Sequence, residues 1–342
     1  MRRSVRRAVT GIVATASAAT VPLAGAMPGS AATPVTTGLS RSAAAQPQSA
    51  VATAALPLGC QPLASALMPT GQLTEVITVN EHPLRPPYWE DIYRSIAPAG
   101  TVTALTSTST QWDRVNYPPV YLYSRQFFVR SGALYFGSTT YNTVKQTKSF
   151  TSRQVGSSWS PFRHLADSSD PWTGYKKAGS LYGVNSNTGT LHRYRVSEQT
   201  WGKPVLTHTG SKTGFGGIRS LTLAYQYRPW ASDGQDALLA TTSKGALLLI
   251  TMPRTGSFAP RTTVLRSSTW YFDDLAVTNC GSGWALLAVK KGVQQAHLYY
   301  IPAYNGSNTR FTYVGRIGTT WSASRTAGFW SDAEVPLRQW NP

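Results

Sequence analysis

The residues in this sequence best suited to chemistry are three pairs of acids set among aromatic side chains. Asp273 and Asp274 stand in WYFDDLAV, Glu90 and Asp91 in YWEDIYRS, and Asp332 and Glu334 in WSDAEV. Glycoside hydrolysis requires two carboxyls flanking the scissile bond, roughly 5–9 Å apart. The same pairing of acid and aromatic ring suits sugar binding without cleavage, the ring stacking on the pyranose while the carboxylate accepts its hydroxyls. WYFDDLAV also reads as a plain turn into a strand, with an Asp accepting backbone N–H groups. The expected ligand contacts are Asp273, Asp274, Asp332, Trp270, Trp330 and Tyr182. No residue is assigned to catalysis, and the expectation leans away from an enzyme.

Other chemistries find less support. The five histidines, His82, His164, His192, His208 and His297, form no H-x-H or H-E-x-x-H pattern, and no calcium loop is present. Neither metal nor cofactor is expected on that basis. Ser282 lacks the glycine that a nucleophile elbow places two residues earlier, where Cys280 stands instead. SKTGFGGIRS (211–220) has the glycines of a phosphate loop without its closing Lys-Ser/Thr. The sialidase-type Asp-box is represented only by a fragment, Ala231-Ser232-Asp233-Gly234. Arginines interleave with tyrosines in YLYSRQFFVR (121–130), LHRYRV (191–196) and AYQYRPW (224–230). Such segments can hold acidic glycan or nucleic acid by charge and stacking. Strand alternation gives a simpler reading, with Arg193 and Arg195 on a solvated face and His192, Tyr194 and Val196 on a packed one.

The first residues bound the setting. Arg2, Arg3, Arg6 and Arg7 precede a weakly apolar stretch and then the small residues Ser30-Ala31-Ala32, the layout of a bacterial export signal over 1–32. Its apolar part is rich in Ala, Thr and Gly and broken by Pro22, so stable membrane insertion is not expected. Removing it lowers the net charge from +18 to +14. A secreted chain of that sign favours anionic partners such as acidic glycans or cell-surface polymers, and export argues against nucleic acid. Cys60 and Cys280 are the two cysteines, and an oxidising destination permits one disulfide between them.

Residues 33–70 are rich in Ala, Ser, Thr and Pro and lack aromatics, so they read as a flexible linker, except that LPLGCQPLASAL (56–67) can dock through its leucines and Cys60. All 11 tryptophans, 17 tyrosines and 14 acids lie beyond residue 71, which places the folded domain at 71–342. There, short β-branched and aromatic runs recur without a sustained helical period, which predicts an antiparallel all-β architecture. Leu134, Leu181, Leu238 and Leu286 mark similar strand–turn–strand units at intervals of 47, 57 and 48. Asn187-Thr188-Gly189 and Lys244-Gly245 supply hairpin turns within these units. A period near 47, with room for another unit in 71–130, predicts a five-bladed β-propeller, with a β-sandwich as the competing layout.

The phrase SLYGVNSNTGTLHRYRV followed by Trp201-Gly202-Lys203-Pro204 resembles the tachylectin-like five-bladed propeller lectins. The likeness extends to 236–265 and 284–315, covering about half the chain, while Leu181-Tyr182-Gly183-Val184 gives way to Leu238-Leu239-Ala240-Thr241 and Leu286-Leu287-Ala288-Val289. What the resemblance implies is non-catalytic binding of N-acetylated sugars or cell-wall glycans. The alternatives are an exported glycoside hydrolase or lyase built on one acid pair, and a propeller that binds proteins.

Overall fold

The computed structural model describes residues 56–331 apart from interruptions, the longer of which are 80–87, 94–100, 113–120, 169–178 and 226–233. The expected export signal, Asp332 and Glu334 lie outside the described residues, and Trp330, Glu90 and Asp91 are described by backbone alone.

Twenty-one strands are present among the described residues. One sheet of nine strands contains β1 (Leu63–Leu67), β2 (Leu73–Val79), β3 (Tyr88–Tyr93), β4 (Val102–Leu105), β5 (Thr108–Trp112), β6 (Tyr121–Arg130), β7 (Ala133–Asn142), β8 (Thr147–Gly156) and β21 (Arg325–Ser331). The second sheet holds β9 (Phe162–Asp167), β10 (Gly179–Asn185), β11 (Thr190–Glu198) and β12 (Pro204–Thr213). The third holds β13 (Ile218–Tyr225), β14 (Gln235–Thr242), β15 (Leu247–Pro253) and β16 (Arg261–Arg266). The fourth holds β17 (Asp274–Asn279), β18 (Trp284–Lys290), β19 (Gln295–Ile301) and β20 (Thr312–Arg316).

Four sheets correct the expectation of five blades of about 47 residues, and with it the tachylectin-like architecture and the β-sandwich. The protein is an all-β, four-bladed propeller whose first blade is composite. The physical reason lies in its closure. β21, near the chain's end, pairs antiparallel with β1 and in parallel with β5, so the strands from both ends of the domain become one continuous ladder. The marker period fails for a related reason. Leu181, Leu238 and Leu286 sit on β10, β14 and β18, each second in its sheet, whereas Leu134 sits on β7, a strand later in its own unit.

The repeat that the structure does contain is a backbone latch. The amides of Trp159, Phe215, Trp270 and Trp321 donate to the carbonyls of Gly132, Gly189, Gly245 and Gln294 over 2.7–3.0 Å. Each acceptor stands at a hairpin turn of one strand pair, and each donor leads into the strand that comes next in its part of the chain: β9, β13, β17 and β21. All four acceptors have positive φ, from 51° to 78°, and three of the four are glycines, the residue type that adopts this conformation at least cost.

Burial explains why the second strands read as nearly unbroken apolar runs. β10, β14 and β18 have packed neighbours on both faces, so period-2 alternation disappears from their sequences. β12 lies at a sheet edge and is largely exposed. Arg193 departs from the expected solvated face: it is 3% exposed and faces the third sheet. Its Nε donates to Thr209 Oγ1 and its Nη atoms to the carbonyls of Pro253 and Gly256, while the guanidinium lies over Phe258. These bonds satisfy the guanidinium without a carboxylate.

The disulfide joins Cys60 to Cys280, closing a loop across a sequence separation of 220 residues. Around it Leu56, Leu298, Val314 and Tyr300 form a small apolar cluster, so the 56–67 segment is docked as its leucines predict. β1 continues that segment into the composite sheet, with Ala64 and Ala66 packed against Leu287, Val289 and Trp321.

Candidate functional site

The first strands converge on a central axis, where β4 and β21 from the composite sheet meet β9, β13 and β17. A small cavity of about 20 Å³, near the size of one water site, lies between them. Its wall includes His164, Ser220, Asp274 and Thr326, with Leu165, Leu221 and Leu275 one residue further along. The first strands thus deliver a polar residue and then a leucine to corresponding heights on the axis.

Of the adjacent Asp273 and Asp274, only Asp274 lines this cavity, and the two are held differently. Asp273 is partly exposed; its Oδ1 accepts from Arg219 Nε at 2.8 Å and Nη2 at 2.6 Å, and its Oδ2 from the Lys291 amide at 2.8 Å. Asp274 is buried and accepts from Lys291 Nζ at 2.9 Å and the Thr326 amide at 2.8 Å, with Arg325 Nη1 at 3.8 Å. Burial raises the Asp274 carboxyl above its ordinary range, and Lys291, Arg325 and the Thr326 amide offset part of that. Desolvation likewise lowers Lys291, against the pull of Asp274. His164 is held down to about 3 by burial and then by the charges of Arg325, Lys291 and Arg163, so its imidazole is neutral.

Trp270 and Tyr182 are core residues. Trp270 is 6% exposed and packs on Tyr299 and Phe311 with ring centroids 4.9 and 5.1 Å away. The partly buried Tyr299 hydroxyl is pushed up to about 12 by that enclosure. Tyr182 is fully buried, and its hydroxyl donates to Asp236 Oδ2 at 2.6 Å. Asp236 also accepts from Ser168 Oγ at 2.8 Å and Arg254 Nε at 2.9 Å, forming a polar brace between the second and third sheets. Burial and the Asp236 charge both hold the Tyr182 proton in place. The backbone of Trp330 runs in β21 opposite Ser109.

A larger concave site lies elsewhere among the described residues, between the second and third sheets. It is a cleft of about 460 Å³ bounded by the end of β12, the turn into β13, and strands β14 to β16. Lys212 and Arg261 supply positive charge, Thr213 and Thr262 supply hydroxyls, and Phe215 and Leu248 supply apolar surface. The lining contains no carboxylate. Lys212 Nζ donates to the Pro260 carbonyl at 3.3 Å, leaving further donors on the ammonium. The segment SKTGFGGIRS, glycine-rich but not a phosphate loop, therefore forms one wall. Sequence reasoning missed the cleft because Lys212 and Arg261 are isolated charges on different sheets, and only the stacking of those sheets brings them together.

No family model matches the chain, and no curated protein does. Among solved structures, a SapL1 lectin in complex with alpha methyl fucoside is 12% identical over 79% of this chain and 84% of that one, with a TM-score of 0.39. A periplasmic gluconolactonase of Pseudomonas aeruginosa is 13% identical over 77% and 71%, with a TM-score of 0.35. The extracellular domains 1–2 of Drosophila semaphorin 1a are 10% identical over 66% and 62%, with a TM-score of 0.32. Likenesses this distant carry no argument about activity. No helix among the described residues is long and apolar enough to cross a membrane.

Proposed function

We propose that this is an exported, non-catalytic carbohydrate-binding propeller that takes an anionic saccharide in the cleft between the second and third sheets. The observation that carries this reading is the cleft's lining: two cations, several hydroxyls, an apolar wall and no acid in a volume that admits a mono- or disaccharide. A pyranose has an apolar C–H face for Phe215 and Leu248 and hydroxyls for the threonines. A carboxylate or sulfate on it matches Lys212 and Arg261 through charge-assisted hydrogen bonds. The net charge, +18 for the whole chain and +14 without residues 1–32, favours the approach of such a ligand. Binding without cleavage is supported by Asp273 and Asp274, because both are engaged by cations: Arg219 of the third sheet on Asp273, and Lys291 of their own blade on Asp274.

A glycan array at about 0.15 M salt, where bulk attraction is screened, should show selective binding to uronate-bearing or sulfated glycans. Calorimetry with the selected oligosaccharide should then show Lys212→Ala and Arg261→Ala each weakening affinity about tenfold, the scale of one lost charged hydrogen bond. Equal binding of a neutral analogue, or unchanged affinity in both variants, overturns the assignment.

A further inference from the structure

His192 on β11 and His208 on β12 are diagonal neighbours across one antiparallel ladder, brought closer by a register shift between Arg193 and Tyr194. Nδ1 of His192 lies 3.2 Å from Nε2 of His208. A tetrahedral transition-metal ion holding two imidazole nitrogens at about 2.0–2.1 Å sets those nitrogens about 3.3–3.4 Å apart. The hydrogen-bonded pair stands close to that separation. His208 is exposed, so an ion can reach it from solvent, and His192 is only partly covered. The two rings are also braced: the edge of Phe162 packs on His192 at 5.5 Å, and Tyr194 packs on His208 at 5.2 Å.

We propose that His192 and His208 form a two-histidine site for a divalent transition-metal ion of the zinc and nickel class, with water completing the coordination. Imidazole nitrogen favours these ions over calcium and magnesium, which prefer oxygen. When the ion binds, each ring carries its N–H on the nitrogen turned away from the pair and offers a lone pair from the facing one. The pair shares no residue with the cleft lining, although His208 lies on the same strand as Lys212.

The fourth sheet provides an internal control. There His297 Nδ1 faces Tyr313 Oη at 3.4 Å, in the corresponding places on β19 and β20. Burial raises the Tyr313 hydroxyl, so it keeps its proton and is a poor ligand.

The test is calorimetric titration of the whole protein with NiCl2 and with ZnCl2, each reversed by a chelator. The expected result is a saturable site whose affinity falls at least tenfold in His192→Ala, His208→Ala and His208→Tyr but not in His297→Ala. His208→Tyr guards against loss of folding, because the His297–Tyr313 pair shows that the same ladder geometry accepts a phenol. Unchanged affinity in the His192 and His208 variants, an equal loss in His297→Ala, or no saturable binding at about 1 mM metal overturns the proposal.

Discussion

His192 and Tyr194 on the third strand of the second sheet correspond to His297 and Tyr299 on the third strand of the fourth. Each set packs beside a latch tryptophan: Trp159 lies 4.9 Å from Tyr194, and Trp270 lies 4.9 Å from Tyr299. The residue between each His and Tyr points to the opposite face, and there the two sheets diverge. In the second it is Arg193, which clamps carbonyls of the third sheet. In the fourth it is Leu298, which joins the apolar cluster around the Cys60–Cys280 disulfide. Where the next element is another blade with open carbonyls, a guanidinium fastens the interface. Where it is the docked N-terminal segment, a covalent bond and aliphatic packing do so. One side-chain plan thus serves two kinds of neighbour by changing a single inward position.

The two fastenings differ in expected strength, and breaking each one separates them. Cys280→Ser removes the tie to the N-terminal segment and frees a long loop in the unfolded chain, at a cost of about 5 kcal/mol in the chain-entropy picture. Denaturant unfolding should show this loss, and treating the unsubstituted protein with reductant should reproduce most of it. A change below about 1 kcal/mol would mean that Leu56 and Leu298 hold the segment without the bond. Arg193→Ala should cost about 2 kcal/mol, because a buried guanidinium that bonds the Pro253 and Gly256 carbonyls and Thr209 Oγ1 and packs on Phe258 is lost. Calorimetric melting of this variant under oxidising conditions isolates the clamp. An effect as small as that of a solvated arginine, within about 0.5 kcal/mol, would contradict its burial.

Arg193 also shows where sequence reading stops. Alternation in LHRYRV correctly separates Arg193 from His192 and Tyr194, yet the pattern cannot say which face is wet when both faces of a strand meet neighbouring sheets. The hairpin turns at Gly189 and Gly245 and the docking of 56–67 are legible because local chemistry decides them. The sheet count is not, because the parallel pairing of β21 with β5 joins residues more than 200 positions apart, and no local pattern encodes it. The marker Leu134 misleads for a similar reason: β7 repeats the composition of a second strand while holding the place of a third. At the site, Asp274 alone of the aromatic-flanked acids among the described residues lines the axial cavity, and Trp270 and Tyr182 are drawn into the core by the same aromatic character that makes them resemble sugar platforms. Lys212 and Arg261 carry no local signal at all.

The smallest expected effect concerns the axis, where the compared sheets place His164 and Asp274 in the same cavity wall. His164 titrates at about 3 in the fold against 6.5 as an ordinary histidine. Between those values the unfolded chain binds more protons at this residue, so its contribution to stability is complete above about 6.5 and is lost as pH falls, by at most about 1.4 kcal/mol per pH unit. Asp274 acts in the opposite sense. Its folded carboxyl is raised from 3.8, so the contribution of this group is largest below 3.8 and diminishes as pH rises through the folded value. Acidification therefore penalises the second sheet's residue while relieving the fourth's, and the net slope of the unsubstituted protein conceals both. His164→Gln keeps a neutral polar side chain and removes only the histidine's contribution. Stability measured by urea unfolding from pH 6.5 to 4 should fall less steeply in this variant by about 1 kcal/mol per pH unit. Parallel curves would mean that the imidazole accepts its proton within the fold, with Asp274 near enough to outweigh Arg163, Lys291 and Arg325, and would reverse the reading of the hub as a place where cations keep histidine neutral.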